Sequence, residues 1–182
     1  MTEILLVAAT ELELCGEEGL ICGVGPVEAA AATSRALALK TPQAVLHIGV
    51  AGATGLTPGS LVIGTEAVYG DLRAEIEMVS HVTPDAGLLA AAQAALPNAL
   101  GLPIGMSAAV GGLANPEPHR VRVEAMEGFA VLRACELAGV PAVEVRAISN
   151  QLGETDRMRW RLPRALEALT DSLPELLSAL RK

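Results

Sequence analysis

The sequence predicts an α/β fold, a three-layer sandwich with a central mixed, largely parallel sheet between two layers of helices. The main observation is that short apolar runs of strand character alternate with helical segments through the whole chain. In addition, the 182 residues are 51% hydrophobic and 19% charged, a composition that can form the core of one folded unit. We therefore expect a single domain over residues 1–182.

Four apolar runs predict the strands of the first half of the chain, and they cover residues 4–8, 19–24, 44–48 and 61–69. Between the second and third runs, Pro26 begins an alanine-rich segment with helical character that extends to Lys40. Proline fits the first turn of a helix, because the N–H that it lacks would have no partner there. The third run is expected to end in a glycine-rich turn over 49–55.

The second half is predicted to contain, in order, a helix over 84–96, an extended piece over 102–110, a loop over 111–119, a helix over 126–137, a strand over 142–148 and a final helix from residue 162. Gly139 follows the second helix at the position where a glycine commonly ends one. Ser149 and Asn150 are expected to lead from the strand into a polar loop. Pro174 is expected to bend or break the last helix.

Charge and composition exclude several kinds of partner. The net charge is −8 and only 2% of the residues are aromatic, whereas nucleic-acid binders need a cationic surface, usually with stacking aromatics. No apolar run reaches the roughly 18 residues of a membrane span. Residues 1–4 lack the basic leader of a signal peptide. We expect a cytoplasmic protein that binds neither nucleic acid nor a membrane.

The cysteines and histidines predict neither a disulfide framework nor a metal site. The cysteines are odd in number, at Cys15, Cys22 and Cys135, and the histidines are remote from one another in the sequence, at His47, His81 and His119. Reduced thiols are therefore expected, and no C-x-x-C or H-x-x-H spacing is present.

The glycine segments do not predict a cofactor either. Glu28 occupies the third glycine position of a dinucleotide fingerprint that would begin at Gly23, and 49–55 lacks the Gly-Lys-Ser/Thr ending of a P-loop.

Four segments, taken in order, resemble one known superfamily. They are Ala9-Thr10-Glu11-Leu12-Glu13, Gly23-Val24-Gly25-Pro26, Gly49-Val50-Ala51-Gly52 and Met126-Glu127-Gly128. Their order and spacing resemble the purine nucleoside phosphorylase and methylthioadenosine nucleosidase superfamily over nearly the whole chain. The resemblance implies a nucleoside phosphorylase-like fold, a small-molecule nucleoside substrate and a homo-oligomer, a dimer or larger.

The segment from Arg146 to Asn150, followed by Gly153-Glu154-x-Asp156-Arg157 and Trp160, resembles the futalosine hydrolases within that superfamily. These enzymes hydrolyse futalosine to hypoxanthine and dehypoxanthine futalosine in an alternative menaquinone pathway. The resemblance therefore implies a purine N-glycosidase that uses water and no cofactor.

Two glutamates match catalytic and sugar-binding positions of the superfamily. Glu13 matches the carboxylate that deprotonates the attacking water, a general-base role that suits an oxocarbenium-like transition state. The alternative is a solvated glutamate at a helix start. Glu127 matches the carboxylate that accepts hydrogen bonds from both ribose hydroxyls, and Met126 would pack against the ribose. The alternative there is a first-turn glutamate beside a core methionine.

Asn150 matches the catalytic position that contacts the purine, and it departs from the adenine-specific nucleosidases, which carry aspartate there. A 6-oxopurine presents an acceptor oxygen, which the amide N–H of asparagine can meet and a carboxylate cannot. The alternative is a turn residue after a strand. Ser149 is expected to orient Asn150. Val50 and Phe129 are the remaining substrate-binding candidates, and a core position is the alternative for Phe129.

The positions of the basic residues predict whether water or phosphate attacks the nucleoside, and which side chains could bind the anionic group of futalosine. Residues 1–34 contain no Lys or Arg, so phosphate would meet an acidic wall and water is the expected acceptor. Futalosine also carries a benzoate group that a cation should meet. Four candidates lie close together, at Arg157, Arg159, Arg161 and Arg164, and the sequence does not choose among them. A neighbouring subunit is another source of this cation.

Three other functions remain open. A methylthioadenosine or adenosylhomocysteine nucleosidase would release adenine, and Asn150 argues against it. A purine nucleoside phosphorylase would require phosphate. A nucleoside-binding sensor would keep the fold without catalysis, but it would need no water-activating base such as Glu13.

Overall fold

The computed structural model describes residues 3–71, 76–113 and 121–182. Its strands are β1 Ile4–Ala8, β2 Leu20–Ile21, β3 Ala44–Ala53, β4 Leu61–Tyr69, β5 His81–Val82, β6 Leu100–Met106, β7 Val123–Ala125 and β8 Ala142–Gln151. Its helices are α1 Pro26–Leu39, α2 Ala86–Ala95, α3 Gly128–Ala138 and α4 Leu162–Leu180, with short 3-10 turns at Leu12–Leu14 and Arg157–Arg159. His119 and most of the predicted loop over 111–119 lie outside the described residues.

The sheet closes on itself. β3 pairs with β8, β8 with β4, β4 with β6 and β6 with β7, and β7 returns to the end of β3 at Gly52 and Ala53. β1 and β2 extend the sheet from the first half of β3, and β5 pairs with the end of β4. Five of the eight pairings among the described strands are parallel, so the predicted mixed, largely parallel sheet is confirmed.

Helices cover both faces of the sheet, as a three-layer sandwich requires. Alternate residues of a strand face opposite sides, and β3 follows this rule. Leu46 packs in the cluster that contains Leu169 and Leu173 of α4, whereas Val45 packs in the cluster that contains Val131 and Leu132 of α3. A smaller apolar cluster joins β3, β4, β6, β7 and β8. The strands are therefore packed against apolar side chains in three separate clusters.

The glycine-rich segment after Ile48 is a strand, and the predicted turn over 49–55 is wrong for its first five residues. β3 continues to Ala53 because β8 pairs with it on one edge and β7 pairs with its end on the other. β8 likewise continues to Gln151, so Ser149 and Asn150 lie in a strand rather than in a loop. In both places, neighbouring strands provide backbone partners that the local sequence does not reveal.

Several element ends differ from the predictions. α4 runs without interruption from Leu162 to Leu180 through Pro174. The apolar run over 19–24 forms a strand only at Leu20–Ile21, where β1 pairs with it. No helix in the described part of the chain is both long enough and apolar enough to cross a membrane.

Candidate active site

A cavity of about 370 Å³ lies at the carboxyl ends of β1, β3 and β8. Its walls come from the segment after β1, from the ends of β3 and β8, from β7 with the two residues that follow it, and from the chain that enters α4. Ligands of α/β proteins with parallel strands commonly bind at such strand ends. The cavity brings together Glu13, Val50, Met126, Glu127 and the pair Ser149-Asn150, which are far apart in the sequence.

Glu13 is buried in this wall with both carboxylate oxygens hydrogen-bonded. Oε2 accepts from the backbone N–H of Thr10 at 3.1 Å and from its hydroxyl at 2.8 Å. Oε1 accepts from the backbone N–H of Val50 at 3.0 Å. Glu13 does lie in the first turn of the short 3-10 helix, but it is buried, so the alternative of a solvated glutamate is wrong. The carboxylate instead has a fixed orientation at the cavity surface.

Glu127 is also buried, and the second glycine segment holds it. Gly25 has a φ of 94°, a conformation that glycine adopts without strain, and its N–H donates to Oε1 of Glu127 at 3.0 Å. Burial raises the pKa of Glu127, while the nearby Arg146 guanidinium and the Gly25 hydrogen bond oppose that rise. The segment Gly23-Val24-Gly25-Pro26 therefore both begins α1 and positions a carboxylate of the cavity wall.

Arg146 connects the buried acids, and the sequence analysis did not single it out. Its Nε donates to Oε1 of Glu144 at 2.7 Å, and Nη2 lies 3.7 Å from Oε2 of Glu127. Burial alone would lower the pKa of Arg146, but the carboxylates of Glu144, Glu127 and Glu13 raise it above its ordinary value. The sequence did contain an indication of this role. Glu144 and Arg146 carry opposite charges at alternate positions of an apolar strand, and buried charges require partners.

His47 completes this network on β3. Its Nε2 accepts a hydrogen bond from Nη2 of Arg146, and its Nδ1 lies 3.1 Å from the carbonyl oxygen of Val7. A neutral ring with the proton on Nδ1 satisfies both contacts. Burial first, and then the charge of Arg146, lowers the pKa of His47 well below its ordinary value. The imidazole therefore stays neutral, and its Nε2 holds the Arg146 guanidinium in position by accepting a hydrogen bond.

Gly49 is the residue of β3 directly opposite Arg146. A Cβ at this position would overlap Nη1 of Arg146 and would lie 2.8 Å from Oε1 of Glu13. Nη1 is buried and has no hydrogen-bond partner among the described residues. The glycine is therefore needed for the close approach of two charged side chains, rather than for a turn.

Asn150 lies in the cavity wall beside Ser149. The Ser149 hydroxyl donates to Oδ1 of Asn150 at 2.7 Å, and Nδ2 of Asn150 donates to the carbonyl oxygen of Gln151 at 2.9 Å. These two bonds fix the plane of the amide, and among the described residues Nδ2 has the single acceptor Gln151, which uses one of its two N–H groups. The amide can therefore offer a donor to a ligand in the cavity.

The other predicted substrate-binding residues divide into two groups. Val50 and Met126 line the cavity. Phe129 does not: it is buried in the core between α3 and the sheet, with its ring centroid 5.2 Å from that of Tyr69. The expectation that Phe129 faces the ligand is thus corrected in favour of its core alternative. It lies in the first turn of α3, whose other residues are also largely buried.

Glu124 is a further cavity residue that the sequence analysis missed. Its two carboxylate oxygens accept from the backbone N–H groups of Gly111 and Leu113, each at 2.6 Å. Burial raises the pKa of Glu124, and these two hydrogen bonds oppose that rise. Glu124 therefore holds residues 111–113 against β7.

The described residues contain no group of three His, Cys, Asp or Glu side chains arranged to hold a metal ion. All three cysteines are free thiols, and burial raises the pKa of Cys22 and of Cys135 to about 12.

A second, more open groove of about 920 Å³ lies between β2 and α1. None of the predicted site residues lines this groove, so the chemistry of the site belongs to the smaller cavity.

The chain belongs to the phosphorylase superfamily, whose family model matches residues 19–178. Within it, the chain is similar to futalosine hydrolase of Streptomyces coelicolor, with 35% identity over 91% of this chain and 80% of that protein. The resemblance inferred from the sequence segments is therefore confirmed.

Solved structures show the same fold. Futalosine hydrolase of Helicobacter pylori strain 26695 superposes with a TM-score of 0.85 at 17% identity, covering 97% of each chain. A 5′-methylthioadenosine/S-adenosylhomocysteine nucleosidase from Colwellia psychrerythraea 34H, in complex with adenine, gives a TM-score of 0.87 at 20% identity and covers 100% of this chain and 97% of its own.

Proposed function

We propose that this protein is a futalosine hydrolase, which cleaves the N-glycosidic bond of futalosine with water and releases hypoxanthine. The observation that carries the proposal is the convergence of Glu13, Glu127 and Asn150 on one cavity. The similarity to futalosine hydrolase over most of the chain supports the same substrate.

The cavity supplies the groups that hydrolysis needs. Water attacks C1′ of the ribose as the bond from C1′ to the purine nitrogen breaks, and the bonding electrons leave with the purine. Glu13 takes the proton that the water loses, and its orientation by Thr10 and Val50 keeps the carboxylate aimed at one point. Positive charge grows on the ribose in this step, and the nearby carboxylates stabilise it.

Glu127 holds the sugar in this mechanism. Its carboxylate has two oxygens, so one side chain can accept from both hydroxyls of a vicinal diol. The Gly25 N–H and the Arg146 guanidinium fix its position from the protein side. Met126, the preceding residue, lines the cavity and provides an apolar surface for the ribose ring.

Asn150 favours an oxopurine as the leaving base. Its amide can donate a hydrogen bond to N7 or to O6 of hypoxanthine, and this bond strengthens as negative charge develops on the departing base. An amide does not release its proton, so the departing base takes its proton from the solvent. Adenine presents an amino group at position 6, where a donor from Asn150 would be mispaired.

The rival functions fit these contacts less well. A methylthioadenosine nucleosidase needs an acceptor for the adenine amino group, whereas Asn150 presents an amide N–H that would be mispaired with that group. A phosphorylase would bring phosphate against Glu13 and Glu127, with a large electrostatic penalty. A sensor would not require Glu13 to be held by three hydrogen bonds at the cavity wall.

One assay separates these functions. The protein is incubated with futalosine, inosine or methylthioadenosine, with and without phosphate, and the free base is followed by chromatography. Hypoxanthine from futalosine at a rate independent of phosphate is the expected result. Adenine release, phosphate-dependent turnover, or binding without release of any base would favour the nucleosidase, the phosphorylase and the sensor, respectively.

The finer parts of the proposal follow from the same family. We propose that the reaction serves an alternative menaquinone pathway and that the protein acts in the cytoplasm as a single-domain homo-oligomer. Gel filtration with light scattering measures the assembly directly.

A further inference from the structure

The cavity extends past the sugar-binding groups to a wall that the mechanism does not use. This wall contains the exposed Arg157 together with Trp160, Leu162 and Leu166, and Leu12 lies beside them. The guanidinium carbon of Arg157 is 5.4 Å from the centroid of the Trp160 ring, a cation–π arrangement. The indole N–H of Trp160 donates to the carbonyl oxygen of Glu154 at 2.9 Å, which fixes the ring.

Arg157 differs from the neighbouring arginines in its charge environment. Arg159 lies within 3.7 Å of the carboxylates of Glu154 and Asp156. Arg164 forms an ion pair with Glu167 at 2.9 Å. Within the described part of the chain, no carboxylate lies within ion-pair distance of Arg157, and Arg157 is the only arginine of this group that lines the cavity. The wall therefore offers one guanidinium to an anionic ligand.

We propose that Arg157 and Trp160 form a subsite for an aryl carboxylate carried on the 5′ side of the nucleoside. The proposal rests on the proposed function, because it takes the positions of base and sugar from it. A ribofuranoside extends towards its base, towards its diol and towards C5′. The proposed function assigns the base to Asn150 and the diol to Glu127, and we assign the C5′ direction to the Trp160 wall, which lines the same cavity.

The chemistry of the wall matches such a group. The aromatic ring of the ligand packs against the leucines and the indole, and its carboxylate pairs with the guanidinium of Arg157. Arginine binds carboxylates through two parallel N–H donors, and stacking on Trp160 already restricts the rotation of the side chain. Because Arg157 is exposed to solvent, the pair strengthens binding by roughly three- to fivefold, less than a buried pair would.

Binding to an inactivated protein tests the subsite without catalysis. Futalosine and the methyl ester of its carboxylate are titrated by calorimetry into Glu13→Gln and into the double variant Glu13→Gln/Arg157→Gln. The double variant should bind futalosine about three- to fivefold more weakly and should bind the neutral ester with unchanged affinity. Glu13→Gln/Arg159→Gln is the matched control, since Arg159 is equally cationic but paired outside the cavity, and it should bind both ligands like the parent.

The outcomes separate the subsite from the proposed function. Equal losses for futalosine and ester would mean that Arg157 only supports the local structure, and no loss for futalosine would mean that it does not meet the carboxylate. Either result overturns the subsite. If the wild-type protein released no base from futalosine but binding still depended on Arg157 and on the carboxylate, the proposed hydrolysis would fail and the subsite would stand.

Discussion

The substitution Gly49→Ala tests whether the arrangement of Glu13 and Arg146 controls activity. The added Cβ would lie 2.8 Å from Oε1 of Glu13 and would overlap Nη1 of Arg146. Non-bonded atoms prefer a separation of about 3.5 Å, so the Glu13 carboxylate must retreat by roughly 0.7 Å unless the strand itself moves. Arg146 has little freedom to yield, because its Nε is bonded to Glu144 at 2.7 Å in a fully buried position.

This displacement should cost both stability and rate. Overpacking of a buried position destabilises by about 1–3 kcal/mol, which lowers Tm by roughly 2–12 °C for a chain of this size. A misplacement approaching 1 Å in a catalytic group lowers the rate by about 10²-fold, so kcat/KM for futalosine should fall by that factor. Thermal unfolding followed by circular dichroism and steady-state hydrolysis of futalosine measure the two effects separately.

Gly101→Ala provides the matched control for Gly49→Ala. Gly101 is also a strand glycine, but a Cβ there would meet only the side-chain ends of Thr65 and Gln93, at 3.2 and 3.4 Å. We expect this variant to keep wild-type kcat/KM. If Gly49→Ala retained kcat/KM within about threefold of wild type while folding normally, the requirement for close approach at Gly49 would be refuted.

Three further predictions concern the site and its support. Glu13→Gln should lower kcat by about 10²-fold or more, and unchanged turnover in the futalosine assay would remove Glu13 from the mechanism. Asn150→Asp should lower kcat/KM for futalosine by roughly 10²-fold relative to adenine nucleosides, and an unaltered preference in competition assays would contradict its role in reading the base. The pKa of His47 is lowered on folding, so the unfolded chain binds the extra proton and stability is lost as the pH falls below about 6.5, by up to about 1.4 kcal/mol per pH unit. Urea unfolding between pH 7 and pH 5 should therefore show a shallower loss for His47→Gln than for wild type, and identical slopes in the two proteins would refute the neutral imidazole beside Arg146.

The sequence determined the local elements and the identity of the chemical groups. Apolar runs predicted β1 and β4, Pro26 marked the start of α1, and Gly139 ended α3 in a left-handed conformation. These features depend on neighbours within a few residues, so the sequence expresses them directly. The ordered segments also identified Glu13, Glu127 and Asn150 as the candidates for the site.

Only the tertiary structure decided how these groups meet. It converted the predicted turn after Ile48 into a strand, because β7 and β8 supply partners from distant parts of the chain. It brought Arg146 within 3.7 Å of Glu127 and close enough to Glu13 to interact with its charge, and it directed Arg157 rather than Arg159 to the cavity. Strand pairing and burial set these distances. Both depend on the whole closed sheet, so local sequence patterns do not contain them.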